Sequence, residues 1–182
     1  MRYLTVDTAT KISKIGLGTW QFGSRGWGYG KPYAEGESRA IVARALELGV
    51  TLFDTAEIYG RGRSERILGQ AIDGHRDEIF LATKILPVAP VPAVVQQRAV
   101  ASASRLGVSK LDLYQVHQPN PLFRDTVIMR GMRRCSGSAW SARSASATTR
   151  WTGGGPPRRR SARGCLATRC ATTWWRRRRR TA

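Results

Sequence analysis

Residues 41–56 read Ile-Val-Ala-Arg-Ala-Leu-Glu-Leu-Gly-Val-Thr-Leu-Phe-Asp-Thr-Ala, and their reading decides the fold. Ile41, Val42, Ala45 and Leu46 place one apolar face at helical spacing, with Ser38 as an N-cap candidate and Gly49 as a C-terminal stop. Residues 51–56 then run as a short apolar strand. The helix therefore turns into the strand within Leu48-Gly49-Val50. The same hinge recurs as Leu106-Gly107-Val108, six residues before Asp112 as the first is six before Asp54. That echo favours a barrel of like units over a doubly wound sheet.

Working outward, the apolar, Gly-rich residues 15–20 suggest a buried strand. Ile67, Leu68, Ala71 and Ile72 repeat the helical spacing after Ser64, and residues 79–85 form a strand. Val94, Val95, Ala99, Ser102 and Leu106 outline a third helix closed by Gly107. A strand at 111–117 and a helix at about 122–134 complete the series. Short strands alternating with amphipathic helices mean βα units and a parallel sheet. Ahead of the first strand, residues 2–6 and 11–14 can pair as a hairpin capping the barrel bottom.

Dinucleotide and phosphate loops would announce themselves in the glycines. Gly16-Leu17-Gly18 is followed by glycine only at position 23, two residues late for the Rossmann fingerprint, and Gly60-Arg61-Gly62-Arg63-Ser64 lacks the Walker lysine. Four polar residues instead fall at or just beyond strand C-terminal ends: Asp54, Tyr59, Lys84 and His117. In a β/α barrel the loops at that rim form the pocket. Asp54 to Lys84 is 30 residues and Lys84 to His117 is 33, one βα unit each, so successive strands deliver one group apiece.

Singly, each has a plainer reading. Tyr59 beside Gly60 can pack, Lys84 can snorkel, His117 can cap a strand end and Asp54 can bind its own turn. Together they make a proton-transfer set. A phenol ionises near pH ~10, and a neighbouring ammonium favours the phenolate, so Lys84 is expected to lower the Tyr59 pKa while Asp54 holds Lys84 in place. Such a phenol can protonate a carbonyl oxygen as hydride reaches the carbon, with His117 orienting the carbonyl.

At these residues the sequence resembles the aldo-keto reductase superfamily. The resemblance rests on Ile15-Gly16-Leu17-Gly18-Thr19-Trp20, Phe53-Asp54-Thr55-Ala56-Glu57-Ile58-Tyr59-Gly60, Ser64-Glu65, Leu68-Gly69, Ala82-Thr83-Lys84 and Asp112-Leu113-Tyr114-Gln115-Val116-His117. It covers about residues 12–134. It implies a (β/α)8 TIM barrel and reduction of aldehydes or ketones with NADPH, or NADH as the alternative. By the same resemblance, Tyr59 is the proton donor, Lys84 and Asp54 are its partners, and His117 orients the carbonyl. Thr19, Trp20 and Asp54 are the contacts to the nicotinamide riboside. Trp20, Trp27 and Tyr29 are candidates for the apolar pocket lining, with packing on the rim as the alternative.

Beyond Arg134 the pattern ends. Residues 134–182 use nine amino-acid types, hold 13 Arg, and contain no Ile, Val, Phe, Tyr or acidic residue. The net charge of +19 divides accordingly, +4 over residues 1–125 and +15 over 126–182. Such composition predicts disorder. It is also what a GC-rich gene yields out of frame. Permitted codons for residues 140–155, read from the third base of the first, spell VGEIGVSNYALDRWR, which resembles the family's fifth strand and following helix. The expected organisation is thus α/β: residues 1–134 as the N-terminal half of a TIM barrel, about four βα units, and 135–182 as a disordered Arg-rich tail. A frameshift is expected between about Gly131 and Trp140. A complete barrel takes about 250 residues, so the half-barrel is expected to be inactive as it stands.

The rival reading is a binder in which Arg158–Arg160, Arg176–Arg180, Trp140, Trp151, Trp174 and Trp175 clasp nucleic acid through non-specific electrostatics and stacking. A third is a fragment without activity. No run reaches the ~18 apolar residues of a membrane helix, and residues 1–11 lack a signal peptide's pattern, so a cytoplasmic location is expected. Cys135, Cys165 and Cys170 are an odd set without a nearby His, which indicates neither a disulfide framework nor a metal site.

Overall fold

In the computed structural model, residues 1–5, 11–28, 32–137 and 143–146 are described. A hairpin comes first, β1 (Tyr3–Thr5) antiparallel to β2 (Lys11–Ser13). A parallel sheet follows, built from β3 (Gly16–Gly18), β4 (Leu52–Asp54), β5 (Phe80–Ile85), β6 (Leu113–Val116) and β7 (Arg143–Ser146). Helices α1 (Pro32–Glu47), α2 (Arg63–Ala71), α3 (Pro92–Leu106) and α4 (Asp125–Gly137) make the crossovers. The strands lie side by side strictly in chain order. A doubly wound sheet reverses its strand order at a switch point, whereas barrel staves follow in sequence, so this is a run of (β/α) barrel units.

Both Leu-Gly-Val hinges work through the same backbone chemistry. Gly49 and Gly107 have φ of +76° and +68°, the left-handed region that glycine enters without a Cβ penalty. The Val50 amide then reaches back to Ala45 O and the Val108 amide to Ala103 O, closing each helix as the chain turns into the next strand.

Strand alternation sorts the side chains. Phe53, Leu81 and Tyr114 face the helices, where they are buried with Val42, Leu68, Val95, Leu106, Ile128 and Met132. Phe80, Ala82 and Leu113 form a second cluster on the opposite face with Ile12 and Leu52. The hairpin closes that inner face from below. Ser13 Oγ accepts from the amides of Thr51 and Leu52 at 2.9 and 3.2 Å, and the Tyr3 hydroxyl donates to Gly49 O at 3.0 Å.

Three expectations need correction. Ser38 is not an N-cap: α1 begins six residues earlier at Pro32, and the buried Ser38 hydroxyl donates to Ala34 O at 2.8 Å from mid-helix. The fourth helix starts at Asp125 rather than near Leu122. Asn120 Oδ1 accepts the Leu122 amide while its Nδ2 donates to Pro87 O, which keeps Leu122 in the loop, 85% exposed. Residues 135–146, expected to be irregular, carry the end of α4 and the strand β7, which pairs parallel to β6. The reason is that a strand edge offers backbone N–H and C=O groups to any chain, whatever its side chains. The remainder of the expected disordered tail, and the tail residues offered as a nucleic-acid clasp, lie outside the described residues. Among those described, no helix is long and apolar enough to cross a membrane.

Candidate active site

The C-terminal ends of β4, β5 and β6 bring four side chains together. Asp54 is the last residue of β4, Lys84 the penultimate residue of β5, and His117 directly follows β6. By alternation all three belong to the inner face with Leu52, Ala82 and Leu113. Tyr59 comes from the loop after β4, in the one-turn 3-10 helix Tyr59–Gly62. Gly60, Arg61 and Gly62 all have positive φ there, and Arg61 is the one non-glycine residue with positive φ among those described. Gly60 is required twice over, since a Cβ on it would also stand 3.0 Å from Gly23 O.

Lys84 spends its ammonium completely. Its Nζ lies 2.6 Å from each oxygen of Asp54 and 2.9 Å from Thr55 O, three acceptors for three hydrogens. No hydrogen remains for the Tyr59 hydroxyl. The ammonium sits instead over the Tyr59 ring, 5.3 Å from its centroid. This corrects the expected electrostatics. The Tyr59 pKa is pushed up to about 12, by burial first and by the Asp54 carboxylate second. The ammonium acts on the phenol only through space and does not outweigh them.

On its other side Tyr59 meets His117 edge to face, with ring centroids 5.5 Å apart and planes at 85°. Burial, then the Lys84 charge, holds the His117 pKa below its ordinary value, against the opposing pull of Asp54 and Glu57. His117 is therefore neutral at neutral pH, one ring nitrogen carrying a hydrogen and the other free to accept. Its Nδ1 is buried and has no hydrogen-bond partner among the described residues.

The residues expected to contact a nicotinamide riboside are placed unequally. Asp54 borders the site through its pairing with Lys84. Trp20 is 59% exposed, beside Thr19 at the end of β3. The Thr19 hydroxyl is fully buried within 2.7 Å of Ser64 Oγ, and Ser64 is also bonded to Thr19 O and approaches Thr55 Oγ1 at 3.1 Å. Thr19 thus knits the loop after β3 to α2. The Trp27 side chain and Tyr29 lie outside the described residues.

Two buried ion pairs behind the site were not foreseen from the sequence. The Glu57 carboxylate accepts from Arg98 Nε at 3.1 and 2.9 Å and from the Leu86 amide at 2.5 Å. Glu65 accepts from Arg105 Nε at 2.5 Å and from Thr83 Oγ1 at 2.6 Å. A signal for both was present: Arg98 and Arg105 are seven residues apart on α3, two turns along its apolar stripe, where a cation calls for a buried anion.

Known proteins share this arrangement of elements. The model of the aldo/keto reductase family matches residues 14–137. An uncharacterized oxidoreductase of Mycobacterium tuberculosis is 62% identical over 133 residues, covering 73% of this chain and 41% of that protein. The aldo-keto reductase YhdN of Bacillus subtilis is 40% identical over 134 residues, 67% of this chain and 39% of its own length. A crystal structure of an aldo-keto reductase from Klebsiella pneumoniae in complex with NADPH superposes with a TM-score of 0.63 at 29% identity, covering 76% of this chain and 46% of that one. The chain spans about two fifths of the length of these two curated relatives, and by sequence and fold together it belongs to the aldo/keto reductase family.

Proposed function

We propose that this chain carries the proton-donating half of an NADPH-dependent carbonyl reductase site, with Tyr59 as the acid. The observation that supports it best is the Tyr59 phenol, half-buried between the His117 ring and the Lys84–Asp54 pair at the ends of successive strands. With its pKa near 12 the phenol holds its proton at neutral pH and is available as a donor. His117, neutral, donates a hydrogen bond that orients an aldehyde or ketone oxygen toward the phenol. As that oxygen takes the Tyr59 proton, the phenolate left behind is stabilised by the adjacent ammonium until solvent returns the proton.

The residues present fit the nicotinamide end of such a cofactor. The buried, unpartnered His117 Nδ1 leaves a polar atom unused beside the site, and the Trp20 indole is exposed at the end of β3. Asp54 and Trp20 would hold the nicotinamide riboside, whereas Thr19 would act through its backbone, because its hydroxyl is engaged with Ser64. When bound, the reduced nicotinamide supplies the hydride that goes to the carbonyl carbon. The test is cofactor consumption by the protein with its frame restored, with a panel of aldehydes and ketones, in which Tyr59→Phe loses turnover and keeps cofactor binding.

We further infer that the coding frame shifts between about Gly131 and Trp140. In support, Arg143–Ser146 occupies the fifth-strand position although its composition has no strand character, and the alternative frame over residues 140–155 reads as a fifth strand and helix. Sequencing the locus tests this. An independently confirmed frame spelling the Arg-rich tail would overturn it.

A further inference from the structure

We propose that Glu57 is a positioning residue for the Tyr59–His117 pair: its carboxylate, locked between the Leu86 amide and Arg98, pins the Tyr59 loop to the end of β5, from which His117 also hangs. This rests on the reading of Tyr59 as the proton donor. Glu57 lies three residues after Asp54 and two before Tyr59, midway along the loop that must set the phenol.

Three consecutive residues at the end of β5 hold both partners. Lys84 O accepts the Glu57 amide at 3.2 Å, Ile85 O accepts the His117 amide at 2.9 Å, and the Leu86 amide donates to the Glu57 carboxylate at 2.5 Å. The Tyr59 amide then donates to Ala56 O, so the phenol follows wherever Glu57 is fixed. Leu86 precedes Pro87, which has no amide hydrogen, so the Leu86 amide is the last donor this turn can offer before Val88.

Arg98 supplies the second anchor. The Glu57 side chain is only 6% exposed, and a carboxylate so buried needs a cation, which the half-open Arg98 at 37% provides from α3. The register of α3 against the sheet is thereby coupled to the position of Tyr59. Glu65 with Arg105 is the contrast: it is ion-paired and more deeply buried, but its carboxylate joins α2, α3 and Thr83 on the helix side of the sheet and bonds to no residue of the Tyr59 loop, which Arg105 touches only by packing against Gly62.

The test uses the two histidines of the full chain, His75 and His117, observed by NMR with labelled histidine. The groups facing His117 are Tyr59, Lys84, Asp54 and Glu57. The change in the His117 ring-proton shifts between the wild type and Tyr59→Leu defines the ring current that the Tyr59 ring exerts. Glu57→Gln is expected to lose most of that contribution and, by removing a negative charge, to lower the His117 pKa. Glu65→Gln is expected to lower the unfolding midpoint while leaving both unmoved. Should Glu57→Gln fail to fold, Arg98→Met against Arg98→Lys decides, with the ring current lost in the first and kept in the second. A full Tyr59 contribution in Glu57→Gln, or in Arg98→Met, overturns the proposal. The donor role of Tyr59 would then still stand or fall separately, on the turnover of Tyr59→Phe.

Discussion

Lys84 Nζ lies 2.6 Å from both carboxylate oxygens of Asp54, and this chelation governs how Tyr59 behaves. A carboxylate holding two of the three ammonium hydrogens, with Thr55 O holding the third, leaves the lysine able to act on Tyr59 only through space. The phenol therefore experiences burial and the Asp54 charge more than it experiences the cation.

Changing either partner shifts the phenol in opposite directions. Asp54→Asn removes a charge that raises the Tyr59 pKa and leaves the ammonium unmatched, so the value falls below about 12. Lys84→Met leaves the carboxylate alone and raises it further. Titration of ring-labelled tyrosines by NMR separates Tyr59 from the other four. A Tyr59 titration unchanged in both variants contradicts this electrostatic account.

Protonation of His117 gives stability a pH dependence. Its folded pKa is depressed below the ordinary 6.5, so the unfolded chain binds the proton first as pH falls, and the folded state binds more weakly. The His117 contribution is fully present above about pH 6.5 and is lost as pH drops through the folded value. Urea midpoints measured across that window should show a decline that His117→Gln diminishes. An identical pH profile in His117→Gln would exclude His117 as its source.

The helix layer tolerates little added volume where α2 meets α3. A Cβ on Gly69 would lie 2.5 Å from Leu106 O, a backbone atom that cannot swing away. Gly69→Ala is expected to destabilise the fold by about 1–3 kcal/mol despite alanine's better helix propensity. Chemical denaturation decides between overpacking and propensity, because a stabilised variant would mean that the helices separate freely.

The sequence made the order of elements legible because Leu48-Gly49-Val50 and Leu106-Gly107-Val108 mark the same helix-to-strand hinge, whose left-handed glycine is a local requirement. The meeting of Asp54, Lys84 and His117 was legible for a related reason, since 30- and 33-residue intervals match one βα unit. The direction of the Tyr59 shift was not, because it depends on how deeply the phenol is buried and on its closeness to Asp54, which only the folded geometry reveals. Ser38 misled because a serine ahead of an apolar run looks like a cap, while Pro32 starts the helix a turn and a half earlier. Strand β7 could not be read from side chains at all, as its placement comes from backbone pairing with β6.

Glu65 and Arg105 form the most deeply buried ion pair of the described residues, with the Glu65 side chain fully enclosed. Arg105→Met strands that carboxylate without its cation and is expected to cost about 3–5 kcal/mol. Replacing both partners together, as Glu65→Met with Arg105→Met, should recover much of the loss, since the unpaired charge disappears. A double-mutant cycle measures the coupling, and a value near zero would show that the pair is spectator to stability.

Activity separates the chemistry these residues encode from what 182 residues can perform. Asp54, Tyr59, Lys84 and His117 are all present, so on the proposed reading proton donation is encoded locally. Hydride transfer also needs the nicotinamide held at near-attack distance, and such ordering can lower a barrier by roughly 7–11 kcal/mol. The chain spans 41% of its Mycobacterium tuberculosis relative, and the described residues offer mainly Asp54 and Trp20 to that task. The expected result is little or no carbonyl reduction by the 182-residue chain and clear NADPH-dependent turnover once the frame is restored. In the restored protein, Tyr59→Phe should lower kcat by about 10²–10⁴-fold, the usual worth of a positioned general acid, with cofactor affinity nearly unchanged. Strong turnover by the present chain would show that the frameshift costs the site less than expected, whereas full turnover by Tyr59→Phe would overturn the assignment of the donor.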